Sequence, residues 1–271
     1  MSFLLPIGLD PVAFSLGGIE IRWYGIFVAL SILTALLIAR AGARRARLST
    51  ALVDDGALWV GVSALIGGRL LYLLQNELPD LVAHPLHAFA IWHGGLSFYG
   101  GLIAGLVGLA LWARHRCVAF GVAADVVAPA VAAGQAVGHI GCLIGGDSYG
   151  LPTDGPFAVI YGNPNAMAPQ GVPLHPTQLY EAVSLGILAV ALWASRGRLD
   201  RLGPGATAAV YLIGNAAIRF GLFFLRDDVV VFTGLKVAQV IAIGIGLAGV
   251  IWLLTLRQRS VPAVAVLPRA A

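Results

Sequence analysis

Long, uninterrupted apolar stretches recur along the chain, at about 21–40, 55–75, 94–113, 118–140, 178–195, 204–225 and 237–256. Because the apolar residues are continuous rather than alternating, the pattern predicts seven transmembrane helices and not a β-barrel. The clearest are Gly94 to Ala113 and Val237 to Leu256, each 20 residues without a charge. At 1.5 Å per residue, that length crosses a hydrocarbon core of about 30 Å. Glycine is abundant, at 35 residues, and pairs such as Gly101 and Gly105 at small-xxx-small spacing predict close helix packing. The expected architecture is an all-α polytopic membrane protein with one transmembrane domain over residues 1–256 and a short cytoplasmic tail over 257–271. Met1 to Phe14 contain Asp10 and lack the basic start and cleavage site of a signal peptide, so the N-terminus is expected to be retained.

Composition sharpens this picture. Of 271 residues, 59% are hydrophobic and 11% charged, with a mean hydropathy of +0.87, against about 25% charge in soluble domains. The chemistry must therefore sit in or at the bilayer. The net charge is +4, but no basic block is interleaved with aromatics, which argues against a nucleic-acid partner. Cys117 and Cys142 form no disulfide framework and match no metal spacing.

The basic residues report orientation. Arg40, Arg44, Arg45 and Arg47 follow the first span, Arg114 and Arg116 the third, Arg196, Arg198 and Arg201 the fifth, and Arg257, Arg259 and Arg269 the seventh. The alternate connections, Gln75 to His93 and Gly145 to Thr177, carry no Lys or Arg. The positive-inside rule then puts the N-terminus outside and the C-terminus in the cytoplasm. Arg22, Arg69, Arg219, Arg226 and Lys236 have no such role. An ionised side chain at the bilayer centre costs on the order of 2.5 to 3.5 kcal/mol and needs a partner or a polar cavity. Arg226 follows Arg219 by seven residues, about two helical turns, on one face. Asp125, Asp147 and Glu181 are the candidate counter-ions. Such arginines either fix helix packing through internal ion pairs or line a cavity for an anion; guanidiniums fork onto phosphate oxygens, and a phospholipid head group fits that cavity.

Four segments depart from plain apolar helix. IRWYG at Ile21 to Gly25 sets Tyr24 beside an arginine, and also fits an outer aromatic belt. WHGGLSFYGGL at Trp92 to Leu102 places Tyr99 among four glycines, where a tyrosine is more often an anchor than a catalyst. GHIGCLIGGDSYGLPT at Gly138 to Thr153 gathers His139, Cys142, Asp147 and Tyr149 in a glycine-rich turn whose amides can meet an oxyanion. His139 is either a general base or a structural histidine, and Cys142 is more easily read as packing than as a nucleophile. HPTQLYE at His175 to Glu181 opens the fifth helix after Pro176 and points Glu181 into the bundle.

In this order, the opening DPVAFSLGGIEIRWYGI, GGRLLY, GGLSFYGGL, GHIGCLIGGDSYG, HPTQLYE and the Arg219 to Arg226 pair make the chain resemble the prolipoprotein diacylglyceryl transferase family nearly end to end. The resemblance implies transfer of the diacylglyceryl group of phosphatidylglycerol to the lipobox cysteine thiol of a preprolipoprotein, with release of glycerol phosphate. It also implies a multi-pass protein of the bacterial inner membrane that needs no cofactor. Tyr24, Arg69, Arg219, Arg226, Gln178, Tyr180, Glu181 and Gln239 fall on matching positions. The chain departs from the family pattern at Tyr99, where a histidine is usual, at His139, Cys142 and Asp147, where arginine, asparagine and glutamate are usual, and at Asn215 and Phe223, often tyrosine and glutamate. The site expected on this basis has His139 as base, with Arg219 and Tyr99 beside it in the catalytic set. Arg69, Arg226, Tyr24, Asp147, Gln178 and Glu181 would hold the phospholipid, whose leaving phosphate the arginines neutralise. A related phospholipid-dependent transferase with another acceptor and a non-catalytic lipid-binding protein are the alternatives.

Overall fold

The structure is a computed structural model that describes residues 4–78, 81, 84, 86, 87, 95–228, 230–232 and 234–258. The expected tail from 257 lies outside these beyond Gln258. Seven long helices occur among the described residues: α1 Trp23–Arg45, α2 Thr50–Asn76, α3 Phe98–His115, α4 Phe120–Gly145, α5 Thr177–Leu199, α6 Ala206–Leu222 and α7 Val237–Gln258. Each coincides with a predicted apolar run. Six are long and apolar enough to cross a membrane, and α3 adds 18 residues of the same character. Their outer faces expose Leu33, Leu37, Ile66, Leu70, Ile103, Ile187, Val190, Leu247 and Ile251. Apolar surface on that scale is stable against lipid rather than water.

Short strands decorate this helical frame: β1 Leu5–Ile7, β2 Val12–Leu16, β3 Ile19–Arg22, β4 Val159–Tyr161, β5 Val230–Phe232 and β6 Leu235–Lys236. β1 pairs in parallel with β4, whereas β2–β3 and β5–β6 are antiparallel hairpins. The first hairpin is closed by the Trp23 amide donating to the Pro11 carbonyl at 3.0 Å, and so leads directly into α1.

The chain divides into two compact units, residues 39–126 and residues 1–38 with 127–271. Within the first, α2 packs on α3 through small residues. A Cβ at Gly67 would lie 2.1 Å from Ala104 Cβ and 2.6 Å from the Gly100 carbonyl oxygen, and one at Gly100 would lie 2.3 Å from the Gly67 oxygen. Gly101 and Gly105 face Ala64 in the same seam, as their spacing predicted. At one end Asp55 accepts from Trp112 Nε1 at 2.8 Å and from Arg116 Nε at 2.7 Å. Arg69 is buried, and its guanidinium donates to the Gly95 and His87 carbonyls at 3.2 and 3.0 Å.

Within the second unit, Gly134, Gly138 and Gly141 of α4 form the surface on which α1 lies. A Cβ on Gly134 would meet the Ser31 carbonyl at 2.9 Å, and one on Gly141 would meet Phe27 Cβ at 2.7 Å and Tyr24 Cα at 3.3 Å. α7 packs on α6 through Gly249 and Gly246, and α6 on α5 through Gly214. The connection after α4, read from the sequence as a glycine-rich turn followed by a long loop without Lys or Arg, is a built structure. Val159, Tyr161, Ala168 and Leu174 form a buried cluster against which Ile7, Leu143 and Tyr149 pack.

Candidate functional site

The site is assembled at the ends of α4, α5 and α6 and in the structured connection between the first two. α4 ends where Gly146 adopts φ +75 and Ser148 φ +58, which turns the chain sharply back. Gly150 then bridges to Arg226, while its amide donates to the His175 carbonyl at 3.2 Å and the Leu151 amide to the Leu225 carbonyl at 2.8 Å. No side chain fits at this crossing, since a Cβ on Gly150 would lie 2.6 Å from His175 Cβ and 2.8 Å from the Leu225 oxygen. The first residues of α5 tie the turn down. Thr177 Oγ1 donates to the Ser148 carbonyl at 2.8 Å and Gln178 Nε2 to the Asp147 carbonyl at 2.6 Å. Both side chains are wholly buried. The Tyr161 hydroxyl donates to the Leu143 carbonyl at 2.8 Å; burial, helped by the charge of Asp147, pushes its pKa upward and keeps it a donor.

One turn into α5, Glu181 is 1% exposed. Its Oε2 lies 3.1 Å from His139 Nδ1 on α4, and its Oε1 lies 3.8 Å from Arg226 Nη1. Both contacts have ion-pair distance without hydrogen-bond alignment. A buried carboxylate needs cationic neighbours, and here an imidazole and a guanidinium converge on it from two other elements. Regular α6 stops at Leu222, tightens into a 3₁₀ turn over Phe223–Leu225, and leaves Arg226 extended at φ −91, ψ 148. The expectation that Arg219 and Arg226 share a helical face is therefore corrected. What they share is the buried ring of Phe223, whose centroid lies 5.8 Å from Arg219 Cζ and 4.4 Å from Arg226 Cζ.

The end of α6 is held from behind. Lys236 Nζ donates to the Phe223 carbonyl at 2.7 Å and also to that of Arg226, so an ammonium sits at the negative end of the helix, where it adds to the Arg226 amide's bond to the Phe223 carbonyl. Gln239 Oε1 accepts from the Lys236 amide at 2.9 Å, and its Nε2 donates to the Phe220 carbonyl at 3.1 Å. Together they set where Arg226 leaves the helix. No group of three or more metal-ligating side chains occurs among the described residues.

A family profile described as Prolipoprotein diacylglyceryl transferase matches residues 11–255. The chain belongs to the prolipoprotein diacylglyceryl transferase family. Among its relatives, the Phosphatidylglycerol--prolipoprotein diacylglyceryl transferase of Geobacter sulfurreducens is 37% identical over 221 residues, covering 81% of this chain and 83% of the relative. The proteins of the same name from Synechocystis sp. and Aromatoleum aromaticum are 33% and 35% identical, covering 93% and 88% of this chain and 92% and 94% of the relatives.

Set beside the family pattern, His139, Asp147, Gln178, Glu181, Arg219, Arg226 and Tyr24 all belong to the second unit. His139, Glu181 and Arg226 meet directly. Gln178 holds the turn through the Asp147 backbone, the half-buried Asp147 side chain lies at that turn, and Tyr24 packs at Gly141 on α4. Arg69 and Tyr99 belong to the first unit. Arg69 is engaged with loop carbonyls, and Tyr99 lies in the first turn of α3 with its side chain outside the described residues. Three residues of the site were not on the expected list. Phe223 stood out only as a departure from the family pattern, Lys236 only as a cation without a topological role, and Tyr161 gave no signal in its apolar VIY context.

Proposed function

We propose that this chain transfers the diacylglyceryl group of phosphatidylglycerol to the lipobox cysteine thiol of a preprolipoprotein signal peptide, in the bacterial inner membrane, with the N-terminus outside. The observation that carries the reading is the convergence of His139 and Arg226 on Glu181, with Arg219 beside the same aromatic ring as Arg226, in a chain of this family. The reaction needs a base for the thiol and positive charge at the departing phosphate. With Nδ1 toward Glu181, His139 keeps Nε2 to accept the thiol proton. The thiolate attacks the glycerol carbon attached to the phosphate, a carbon–sulfur bond forms, and the carbon–oxygen bond breaks. The electron pair leaves on glycerol phosphate, opposite Arg219 and Arg226, and the proton passes from His139 to bulk solvent. Tyr24, Asp147 and Gln178 shape the head-group side of the site.

Arg69 is assigned to the head group by its family position, and Tyr99, which stands where the family usually has a histidine, to the catalytic set; the carbonyl contacts of Arg69 support a further part in holding the loop before α3. The arginine clusters at the ends of α1, α3 and α5 support the outward N-terminus.

The test is incubation of the purified full-length protein with phosphatidylglycerol vesicles and a lipobox peptide, read by mass spectrometry. A peptide heavier by one diacylglyceryl group, absent with Arg219→Ala, is the expected result. Phosphatidylglycerol bound without any lipidated peptide would instead point to a different acceptor.

A further inference from the structure

We propose that Lys236 is a positioning residue for donor recognition: its ammonium pins the backbone from which Arg226 reaches into the site, and so sets that guanidinium for an anionic phosphate head group. This rests on the reading of the site as a phospholipid-dependent transferase centre. Arg226 stands just past the 3₁₀ turn Phe223–Leu225, in extended backbone at φ −91 and ψ 148, where no ladder of helical hydrogen bonds holds the chain. Its side chain nevertheless has two defined neighbours, Glu181 Oε1 at 3.8 Å from Nη1 and the centre of the Phe223 ring at 4.4 Å from Cζ. Both neighbours are buried, one on α5 and one at the end of α6. Meeting both requires that the backbone of residue 226 be held in place by other elements.

Two elements hold it. On one side, Gly150 bridges to Arg226 and the Leu151 amide donates to the Leu225 carbonyl at 2.8 Å. On the other, Lys236 Nζ donates to the Phe223 carbonyl at 2.7 Å and to that of Arg226, which closes a clamp over the segment that carries the chain out of α6. The lysine is itself fixed, because its amide donates to Gln239 Oε1 at 2.9 Å and it pairs with Val230 across the β5–β6 hairpin. Lys236 is 9% exposed. Burying an ammonium costs free energy that an apolar side chain of similar length avoids, so filling space does not account for it. What lysine supplies and methionine cannot is a cation with several N–H donors, whose bonds to carbonyls are charge-assisted. Holding a long, flexible arginine in its binding geometry before the lipid arrives lowers the ordering cost of binding. Lys236 then acts through Arg226 and not on the lipid itself.

The experiment is a double-mutant cycle in the full-length protein: Lys236→Met and Arg226→Gln, alone and together, against wild type, with Lys236→Arg as the conservative variant. Binding of phosphatidylglycerol is read by native mass spectrometry, KM and kcat by peptide lipidation, and folding by the thermal midpoint in detergent. Lys236→Met is expected to weaken phosphatidylglycerol binding about tenfold, the equivalent of about 1.4 kcal/mol, with KM rising in parallel and kcat changing less. Lys236→Arg, which keeps a cation with N–H donors near the carbonyls, should recover most of that loss. In the Arg226→Gln background the same lysine change should cost almost nothing further. Two results overturn the positioning role: equal factors of loss with and without Arg226, or a lower thermal midpoint with binding and KM untouched. Should Lys236→Met fail to fold, Lys236→Gln carries the same cycle. Its expected loss is about threefold, since a neutral hydrogen bond is worth about half a charge-assisted one, and it must again vanish beside Arg226→Gln. The two readings fail separately. Wild-type protein whose phosphatidylglycerol binding depends on Lys236 through Arg226, but which lipidates no peptide, keeps the positioning role and removes the transferase; transfer with donor binding indifferent to Lys236 does the reverse.

Discussion

At the scale of single residues, the site turns on a carboxylate with almost no access to solvent. Glu181 touches His139 on one oxygen and Arg226 on the other, so its removal disturbs both the proposed base and the cation. If Glu181 works through His139, the two substitutions must not add. His139→Gln is expected to lower the transfer rate by about 10²–10⁴-fold, the usual worth of a positioned base. Glu181→Gln should fall in the same range, and the double variant should be little worse than His139→Gln alone. Initial rates of peptide lipidation for the four proteins decide this, and fully multiplicative losses would separate the two residues. Gly150 gives a prediction of another kind. Its missing Cβ is what lets the strand of residue 150 lie against His175 and Leu225. Gly150→Ala is expected to destabilise by about 1–3 kcal/mol, as overpacking generally does, and thermal unfolding in detergent measures it. Much of this was legible beforehand. His139, Glu181 and the arginines are polar residues in apolar runs, a signal that needs no structure. Phe223 was not legible as a participant, because a phenylalanine at the end of an apolar helix has the appearance of packing until two guanidiniums are seen on its ring.

At the scale of elements, the helices were readable and the strands were not, for a physical reason. A span of about 20 apolar residues is imposed by the bilayer, which leaves a long continuous pattern. A strand of three residues such as β4 Val159–Tyr161 is too short to show alternation, and its parallel partner β1 lies some 150 positions earlier in the chain. The end of α6 was misjudged for a similar reason, since the apolar run continues through Leu225 while the hydrogen-bond pattern tightens at Phe223. Glycine spacing, in contrast, carried real information. The α2–α3 seam is set by the mutual approach of Gly67 and Gly100 backbones, a contact that in lipid relies on close packing instead of on the hydrophobic effect. Gly67→Ala places a methyl group 2.1 Å from Ala104 Cβ, so the helices must separate. Loss of about 1–3 kcal/mol is expected, seen as a lower midpoint in thermal unfolding. Gly61→Ala, with open space around its position, should leave that midpoint nearly unchanged.

At the scale of the whole molecule, the placement of charge decides which side of the membrane the chemistry faces. The connections after α1, α3 and α5 hold Arg44, Arg45, Arg114, Arg116, Arg196 and Arg198 in or beside the last helical turns, where they also complement the negative end of each helix dipole. Lys and Arg are absent between Gly145 and Thr177, and that connection bridges to Arg226 through Gly150 and leads into the helix that carries Glu181. If the basic ends are cytoplasmic, the proposed signal-peptide acceptor would meet the site from the opposite side, as the proposed attack by a translocated thiol requires. Cys117 offers a direct probe, since it is exposed and immediately follows Arg116. In spheroplasts, a thiol reagent that cannot cross membranes should leave Cys117 unmodified until the membrane is permeabilised. An added cysteine in the opposite loop, Asp154→Cys, should react at once in intact spheroplasts. Immediate labelling of Cys117 with protection of position 154 would invert the topology, place the Glu181 turn in the cytoplasm, and remove the translocated lipobox cysteine as the acceptor.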